Sequence, residues 1–583
     1  MSILSKASFV NIPSGYGEDN LYSEVPNTTA GDFTFTRSTT GTRVNSDGYI
    51  EEVPWNEFIG SENYVGGTYG WYKNNCTITA NDTTSPIGTN NASRISFTTT
   101  YPSDFRNTTQ NISGINTTSI YVKYIDAQFM QLNGTNDIDH YCNYDILNGI
   151  VGNSGDQSSG SIEDVGGGWF RLIFTQEAGI LVGRVRFINT DSLTSAWNAN
   201  ASTNGDFHIW GAQSVKGTSA KPYIKTTDRL NVPRLDYTNR DCPQLLIEKT
   251  ATNLIDYSED FTQWTIQSGV TATHNTTETL SPDGTNNATK FVGNGTSGVF
   301  KAFIPVSGIV VRSIYLKSVS GTVNVILKDP DRTITEKSLS VTTEWQRFEL
   351  IEDNTTSSQG LWVDDIPSSG IYMWGAQLES KYGNQGYKPT SYIPTNGTSV
   401  TRNYDYFKSG DLTSVLNTSQ GVFYLDFLHY DSIIYGEFTV RPTDNSSANQ
   451  IYFRTQNINN PEKNITQFSL SASGTTYGNY QWNDAYINMG VKYAFAWDGN
   501  VIKHYINGVK KSETTATFSF NADFGEIKMS RYNTPNQYIG FHNPLRQVAY
   551  FNEMLTEDEL ETLTTPIATS FQALVDYYAY ERL

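Results

Sequence analysis

Trp482, Tyr532, Asn536, Gln537 and Tyr538 are the residues whose types and spacing suit ligand chemistry. Aromatic rings cover the C–H faces of a sugar, and amide side chains donate to and accept from its hydroxyls. In polar, turn-like surroundings near the C-terminus, these five are candidate glycan-binding residues. Packing of the same Tyr-rich loops, or their contact with another subunit, is the competing reading. Asp498 and Asn507 could be taken for calcium ligands, but the tight turns they occupy account for them, so no cofactor is assigned and structural calcium has no support. Catalytic chemistry is poorly provided for. The six histidines, His140, His208, His274, His429, His504 and His542, are scattered, with no His-Glu-x-x-His spacing for zinc. No Gly-x-Ser-x-Gly elbow appears. The carboxylate pairs Asp364-Asp365 and Glu51-Glu52 read as solvated or turn-forming acids, although a glycosidase pair is invisible in linear sequence. No catalytic and no metal residue is assigned.

The elements that would position these residues announce themselves through repetition. Pro86-Ile-Gly-Thr-Asn-Asn-Ala-Ser-Arg-Ile95 returns as Pro282-Asp-Gly-Thr-Asn-Asn-Ala-Thr-Lys-Phe291, and Ser119-Ile-Tyr-Val-Lys123 as Ser313-Ile-Tyr-Leu-Lys317. Trp169-Phe-Arg-Leu172 and Phe207-His-Ile-Trp-Gly-Ala-Gln213 return in the same order as Trp345-Gln-Arg-Phe348 and Ile371-Tyr-Met-Trp-Gly-Ala-Gln377. Two copies of one module therefore occupy 56–228 and 253–402, joined by a segment over 229–252. Period-two alternation between Gly/Ser/Asn/Asp turns marks short strands, and helical periodicity is absent. Trp210 and Trp374 read as core residues of late strands.

From 409 onward the pattern changes. Val491–Trp497, the turn Asp498-Gly-Asn500, Val501–Ile506 and the turn Asn507-Gly508 describe consecutive hairpins. Thr556-Glu-Asp-Glu559 is a capping box that opens a short helix through Leu560 and Leu563, and Phe571–Tyr580 suggests a second. The fold class expected is all-β: three tandem antiparallel β-sandwiches of the jelly-roll kind, with a short N-terminal arm over 1–55 and short C-terminal helices after the last sandwich, 409–583. The first residues carry only short apolar pieces, Phe9-Val-Asn-Ile12 and Phe33-Thr-Phe35, too little to close a core, so they are expected to dock onto something else.

Composition narrows the functional classes. The 583 residues include 76 aromatic ones (29 Phe, 36 Tyr and 11 Trp), enough large apolar surface for several cores. Lys and Arg number 40 against 59 Asp and Glu, a net charge of −19 that disfavours nucleic acid and anionic membranes as partners. Three well-separated cysteines, Cys76, Cys142 and Cys242, indicate neither a disulfide framework nor a zinc site. No basic, apolar leader and no membrane-spanning stretch is seen, so synthesis in a cytoplasm and no membrane insertion are expected.

Trp497-Asp-Gly-Asn500, Tyr505-Ile-Asn-Gly508 and Val548-Ala-Tyr-Phe-Asn552 followed by Leu555-Thr-Glu-Asp-Glu-Leu560 resemble the closing half of a laminin-G/concanavalin-type lectin jelly roll. Asn253-Leu-Ile-Asp-Tyr-Ser-Glu-Asp-Phe261, Trp374-Gly-Ala-Gln-Leu-Glu379 and Ser391-Tyr-Ile-Pro-Thr395 resemble the carbohydrate-binding-like sandwiches of tailed-bacteriophage fibre and appendage proteins, and Phe33-Thr-Phe-Thr-Arg-Ser-Thr-Thr-Gly-Thr-Arg-Val44 resembles their lead-in. The resemblance implies a non-enzymatic virion surface protein, a head or tail fibre or decoration component. It would be a homo-oligomer, by analogy a trimer, anchored to other virion proteins through the arm and meeting host-surface glycans with its modules. A purely structural virion component and a carbohydrate-active hydrolase subunit are the alternatives.

Overall fold

In the computed structural model the regular structure of the described residues is almost wholly antiparallel sheet. The structure describes residues 3–566 apart from 27, 54–55, 66–70, 99–103, 108–114, 135–137, 177–185, 199–202, 217, 228–230, 239–241, 305–307, 331, 355–358, 382–387, 430–435, 445, 458–463, 484–488, 535–536 and 542. The second terminal helix expected over 571–580 lies outside the described residues. Two compact units result: Glu52–Leu230, and Met1–Glu51 together with Asn231–Leu583.

The smaller unit is one sandwich of two six-stranded sheets. One runs Ile150–Ser154, Tyr141–Asp145, Phe129–Asn133, Arg186–Thr190, Asp104–Asn107 and Trp71–Asn74; the other runs Ser158–Gly166, Trp169–Gln176, Asn116–Tyr124, Gly205–Lys216, Ala92–Phe97 and Cys76–Thr83. Period-two alternation sends Phe105, Met130, Leu132, Phe174 and Phe207 into the space between them, each fully buried.

The larger unit holds two sandwiches. The first, over 253–402, repeats the smaller unit's arrangement: the sheet Thr265–Ile266, Val299–Ile304, Gln359–Asp364, Val323–Asp329, Arg332–Val341 faces the sheet Thr271–Thr273, Thr289–Val292, Ile371–Lys381, Gly308–Ser318, Gln346–Asn354. The second has a nine-stranded sheet whose middle runs Phe33–Thr36, Tyr406–Ser409, Glu526–Lys528, Gly436–Arg441, and an eight-stranded sheet built around Leu545–Phe551, Gly421–His429 and Met489–Trp497.

The N-terminal segment is not a separate arm. Phe9–Asn11 pairs with Leu545–Phe551, and Phe33–Thr36 pairs with Tyr406–Ser409, so residues near the start of the chain complete both sheets of the last sandwich. The joining segment contributes Leu235–Asp236 and Gln244–Leu245 to the same eight-stranded sheet. The physical reason is the one that made the segment unable to stand alone: Phe9, Leu21, Phe33 and Phe35 need a core, and here they share one with Phe407, Phe438 and Ile527.

Within that core His504 is buried as a neutral ring. Its Nδ1 accepts from the Tyr493 hydroxyl and its Nε2–H donates to Gly478 O at 2.9 Å. Burial pushes the imidazole down to about 3 from its ordinary 6.5. A folded pKa below the unfolded one means that the unfolded chain binds the proton first. The neutral ring's contribution is therefore complete above pH 6.5 and is lost as pH falls toward 3. His504→Phe is expected to flatten the acid limb of a denaturation-versus-pH curve between those values, and an unchanged limb would show that the ring titrates normally.

Candidate functional site

Of the five residues singled out by sequence, Trp482 is a buried core residue. On Thr475–Asn483, it is 6% exposed and belongs to the core of the last sandwich, with ring centroids 5.6 Å from Tyr493 and 6.5 Å from Phe468. It occupies the inward phase of its strand, whereas Gln481 is exposed; the polar neighbours that suggested a loop are the outward half of a strand. Tyr532 and Tyr538 are register partners on a two-stranded ribbon, Ser530–Thr534 with Gln537–Gly540, where Gln537 pairs with Thr534. Asn536 lies outside the described residues.

The Trp-Gly-Ala-Gln repeats form a clamp, seen in both copies, that explains why the motif recurs. In the first, Asn56 Nδ2 donates to Ala212 O and Ile224 O at 3.2 and 2.9 Å, while its Oδ1 accepts from Phe58 N and Ser214 N. In the second, Asn253 Nδ2 donates to Ala376 O and Ile393 O at 3.1 and 2.8 Å, and its Oδ1 accepts from Ile255 N and Leu378 N. Gln213 and Gln377 each accept the amide N–H of the returning Ile224 or Ile393. Gly211 and Gly375 take φ of +60° and +62° beside a register shift, with an added Cβ 3.0 and 3.1 Å from Tyr121 and Tyr315, so no larger residue fits comfortably. Trp210 and Trp374 are 2% and 1% exposed, packed on Tyr223 and Tyr392. The motif thus serves packing.

A concave polar site lies instead on the outward face of the nine-stranded sheet, a cavity of about 430 Å³ lined by Thr34, Tyr406, Lys408, Ser409, Gly410, Asp411, Thr443 and Glu526. Strand alternation builds it: Phe33, Phe35, Phe407 and Ile527 point into the core, and Thr34, Tyr406, Lys408 and Glu526 take the other face. Register places Lys408 opposite both Thr34 and Lys528. Glu526, 3% exposed, holds Lys408 Nζ at 2.5 Å and Lys528 Nζ at 2.8 Å. Asp411 accepts from Thr413 N and Oγ1 at 2.9 and 2.6 Å, and these bonds hold its carboxyl below the usual range. Sequence reading missed this cavity because Thr34 and Asp411 are 377 positions apart; the available signal was the alternation of Phe33-Thr-Phe-Thr36 and Tyr406-Phe-Lys-Ser409.

Fold and site define an all-β protein of sandwich modules with a polar surface cavity. No protein-family model matches the sequence, and no curated protein matches it. Solved structures similar to part of it include the CBM40 of the Ruminococcus gnavus IT-sialidase bound to α2,6-sialyllactose, 12% identical over 26% of this chain and 90% of that one, TM-score 0.22. Another is domain 4 of AbnA, a GH43 extracellular arabinanase from Geobacillus stearothermophilus, in complex with arabinotriose, 15% identical over 31% of this chain and 83% of that one, TM-score 0.22. Overlap at this level carries no argument about the ligand of this chain.

Proposed function

We propose that this chain is a non-enzymatic surface protein of a tailed-bacteriophage virion, a homo-oligomer whose sandwiches attach to host-surface glycans. The sequence resemblance supports the virion setting, and the cavity carries the glycan reading. Its volume lies within the roughly 300–1,000 Å³ of small-ligand sites. Its lining alternates donors and acceptors: the Lys408 ammonium, the Asp411 and Glu526 carboxylates and the hydroxyls of Thr34, Thr443 and Tyr406. An anion would meet two carboxylates there and a cation would meet Lys408, whereas each sugar hydroxyl both donates and accepts and so suits a lining of mixed sign. Hydrolysis is not favoured by the geometry: Asp411 is held as the carboxylate, and Glu526 is engaged by two ammonium groups, so neither is arranged as a proton donor.

The double variant Lys408→Ala, Asp411→Asn is expected to weaken saccharide binding about tenfold or more, the scale of losing two polar anchors; the chain should still fold, at a lowered melting temperature, because the amide at position 411 keeps an acceptor for Thr413 and Lys528 stays on Glu526. Titration of the full chain with an immobilised bacterial surface polysaccharide checks this; affinity equal to the parent's removes the cavity from the account. Electron cryo-microscopy of the particle tests the setting. Density for the chain on the virion surface with the cavity facing outward supports attachment, and its burial between other virion proteins favours a purely structural role.

A further inference from the structure

We infer that the two copies of the repeated sandwich have divided their roles: the first has one outer sheet face closed by its own chain, and the second keeps the matching face open as a saccharide-binding surface. This rests on the glycan reading above and assigns it a site distinct from the cavity.

In the first copy, Met130, Leu132, Cys142 and Tyr144 point into the core, which puts Gln131, Asn133 and Asn143 on the opposite face. All three are fully buried. The cover is the connection between Arg186–Thr190 and Gly205–Lys216, whose residues 191–198 lie across them. Asn143 Nδ2 donates to Ser195 O at 2.7 Å, Gln131 Nε2 to Ala196 O at 3.1 Å and Asn133 Nδ2 to Asn198 O at 2.6 Å, while Gln131 Oε1 accepts from Asn198 N at 3.1 Å. At Gly152 an added Cβ would collide with Leu193 O, so the neighbouring strand is shaped to admit this segment. The amides that could hold a ligand are engaged by the protein's own backbone.

In the second copy the corresponding connection, from Gln359–Asp364 to Ile371–Lys381, spans only 365–370, too short to cross the sheet. Val299, Val325, Leu327, Leu361 and Val363 fill the core, and Phe300, Lys328, Trp362 and Asp364 take the outer face. Phe300, Trp362 and Lys328 are aligned in register, and all three are part-exposed. The two rings are 5.3 Å apart, and Lys328 Nζ lies 4.0 Å from the Trp362 ring centre and 2.5 Å from Asp364 Oδ2. At Gly298 an added Cβ would stand 2.2 Å from Val363 O and 2.5 Å from Trp362 Nε1, so the glycine admits both the neighbouring strand and the indole. This row holds no amide to grip a peptide backbone. It offers apolar ring surface beside a charge-neutral ammonium–carboxylate pair, which is the chemistry of a neutral saccharide's C–H face and hydroxyls.

The test is the full chain on an array of bacterial surface saccharides, alongside Trp362→Ala, Phe300→Ala, the cavity double variant Lys408→Ala, Asp411→Asn, and Gln131→Ala in the first copy. Trp362→Ala and Phe300→Ala should each lower affinity about tenfold or more, as for a lost aromatic anchor, for a saccharide that the cavity variant and Gln131→Ala still bind. Phe300→Ala decides if Trp362→Ala fails to fold. Parental affinity of both aromatic variants, with the cavity variant alone impaired, overturns this inference and leaves the cavity reading standing. No saccharide bound by the parent chain overturns both.

Discussion

Asp405→Ala is expected to destabilise the larger unit by about 3–5 kcal/mol, the range for removing one partner of a buried ion pair. Asp405 accepts from Arg37 Nη1 at 2.8 Å, from Arg234 Nη2 and from Glu248 N at 2.8 Å. Arg234 reaches Glu248 at 2.7 Å, and Arg402 reaches the same carboxylate at 3.4 Å. Arg37, Arg234, Arg402 and Asp405 are at most 1% exposed. Three guanidinium groups would thus remain buried, with Glu248 left to pair with Arg234 and Arg402. The network also explains how distant parts of the sequence are tied together: Arg37 comes from the N-terminal segment, Arg234 and Glu248 from the joining segment, Arg402 and Asp405 from the entry to the last sandwich. The surrounding guanidinium groups hold both carboxyls below the usual range, so the contribution is complete above ordinary carboxylate pKa values and is lost only as pH falls well below them. A thermal scan should show the larger unit's transition moving down by roughly 5–10 °C, with Asp405→Asn milder because it keeps an acceptor. A shift under about 1 °C would mean that these charges are hydrated after all.

Asn253→Ala carries the second large effect. It strips partners from two buried carbonyls and two buried amide N–H groups at once, the bonds to Ala376, Ile393, Ile255 and Leu378. At about 1–3 kcal/mol for each unsatisfied group, tempered by local relaxation, the loss should be about 3–5 kcal/mol. Asn56→Ala is its counterpart, and because Asn56 lies in Glu52–Leu230 its effect should be confined to that unit. Hydrogen exchange resolves the two: each variant should lose protection in its own sandwich and keep it in the other. Equal loss in both for either variant would contradict separate clamps.

Much of the fold was legible because local rules and repetition agree on it. Asn507 and Gly508 take φ of +49° and +79°, as a tight hairpin turn requires, and Thr556 and Glu559 exchange the two bonds of a capping box. The repeats announced two equivalent sandwiches, whose clamps match atom for atom. Sheet membership was harder, since strand pairing between Phe35 and Phe407 spans 372 positions and leaves no local trace. Burial misled at Trp482: in an alternating strand a core ring has polar neighbours on both sides, which in sequence looks the same as a ring in a polar loop. The cavity and the Phe300–Trp362 row had the opposite difficulty. Each is assembled across strands from ordinary outward residues, and a row of outward residues acquires meaning only when the register is known. The same holds for Arg37, Arg234 and Arg402, whose carboxylate partners Asp405 and Glu248 are brought to them from distant positions in the chain.

The central claim, that this chain binds glycans without cleaving them, is tested most directly by incubating the full chain with labelled surface polysaccharide from candidate host bacteria and following both retention and reducing ends. The account predicts saturable retention, weakened about tenfold or more by Lys408→Ala, Asp411→Asn, with no new reducing ends. Release of reducing ends by the parent chain, or the absence of retention on every polysaccharide, would contradict it.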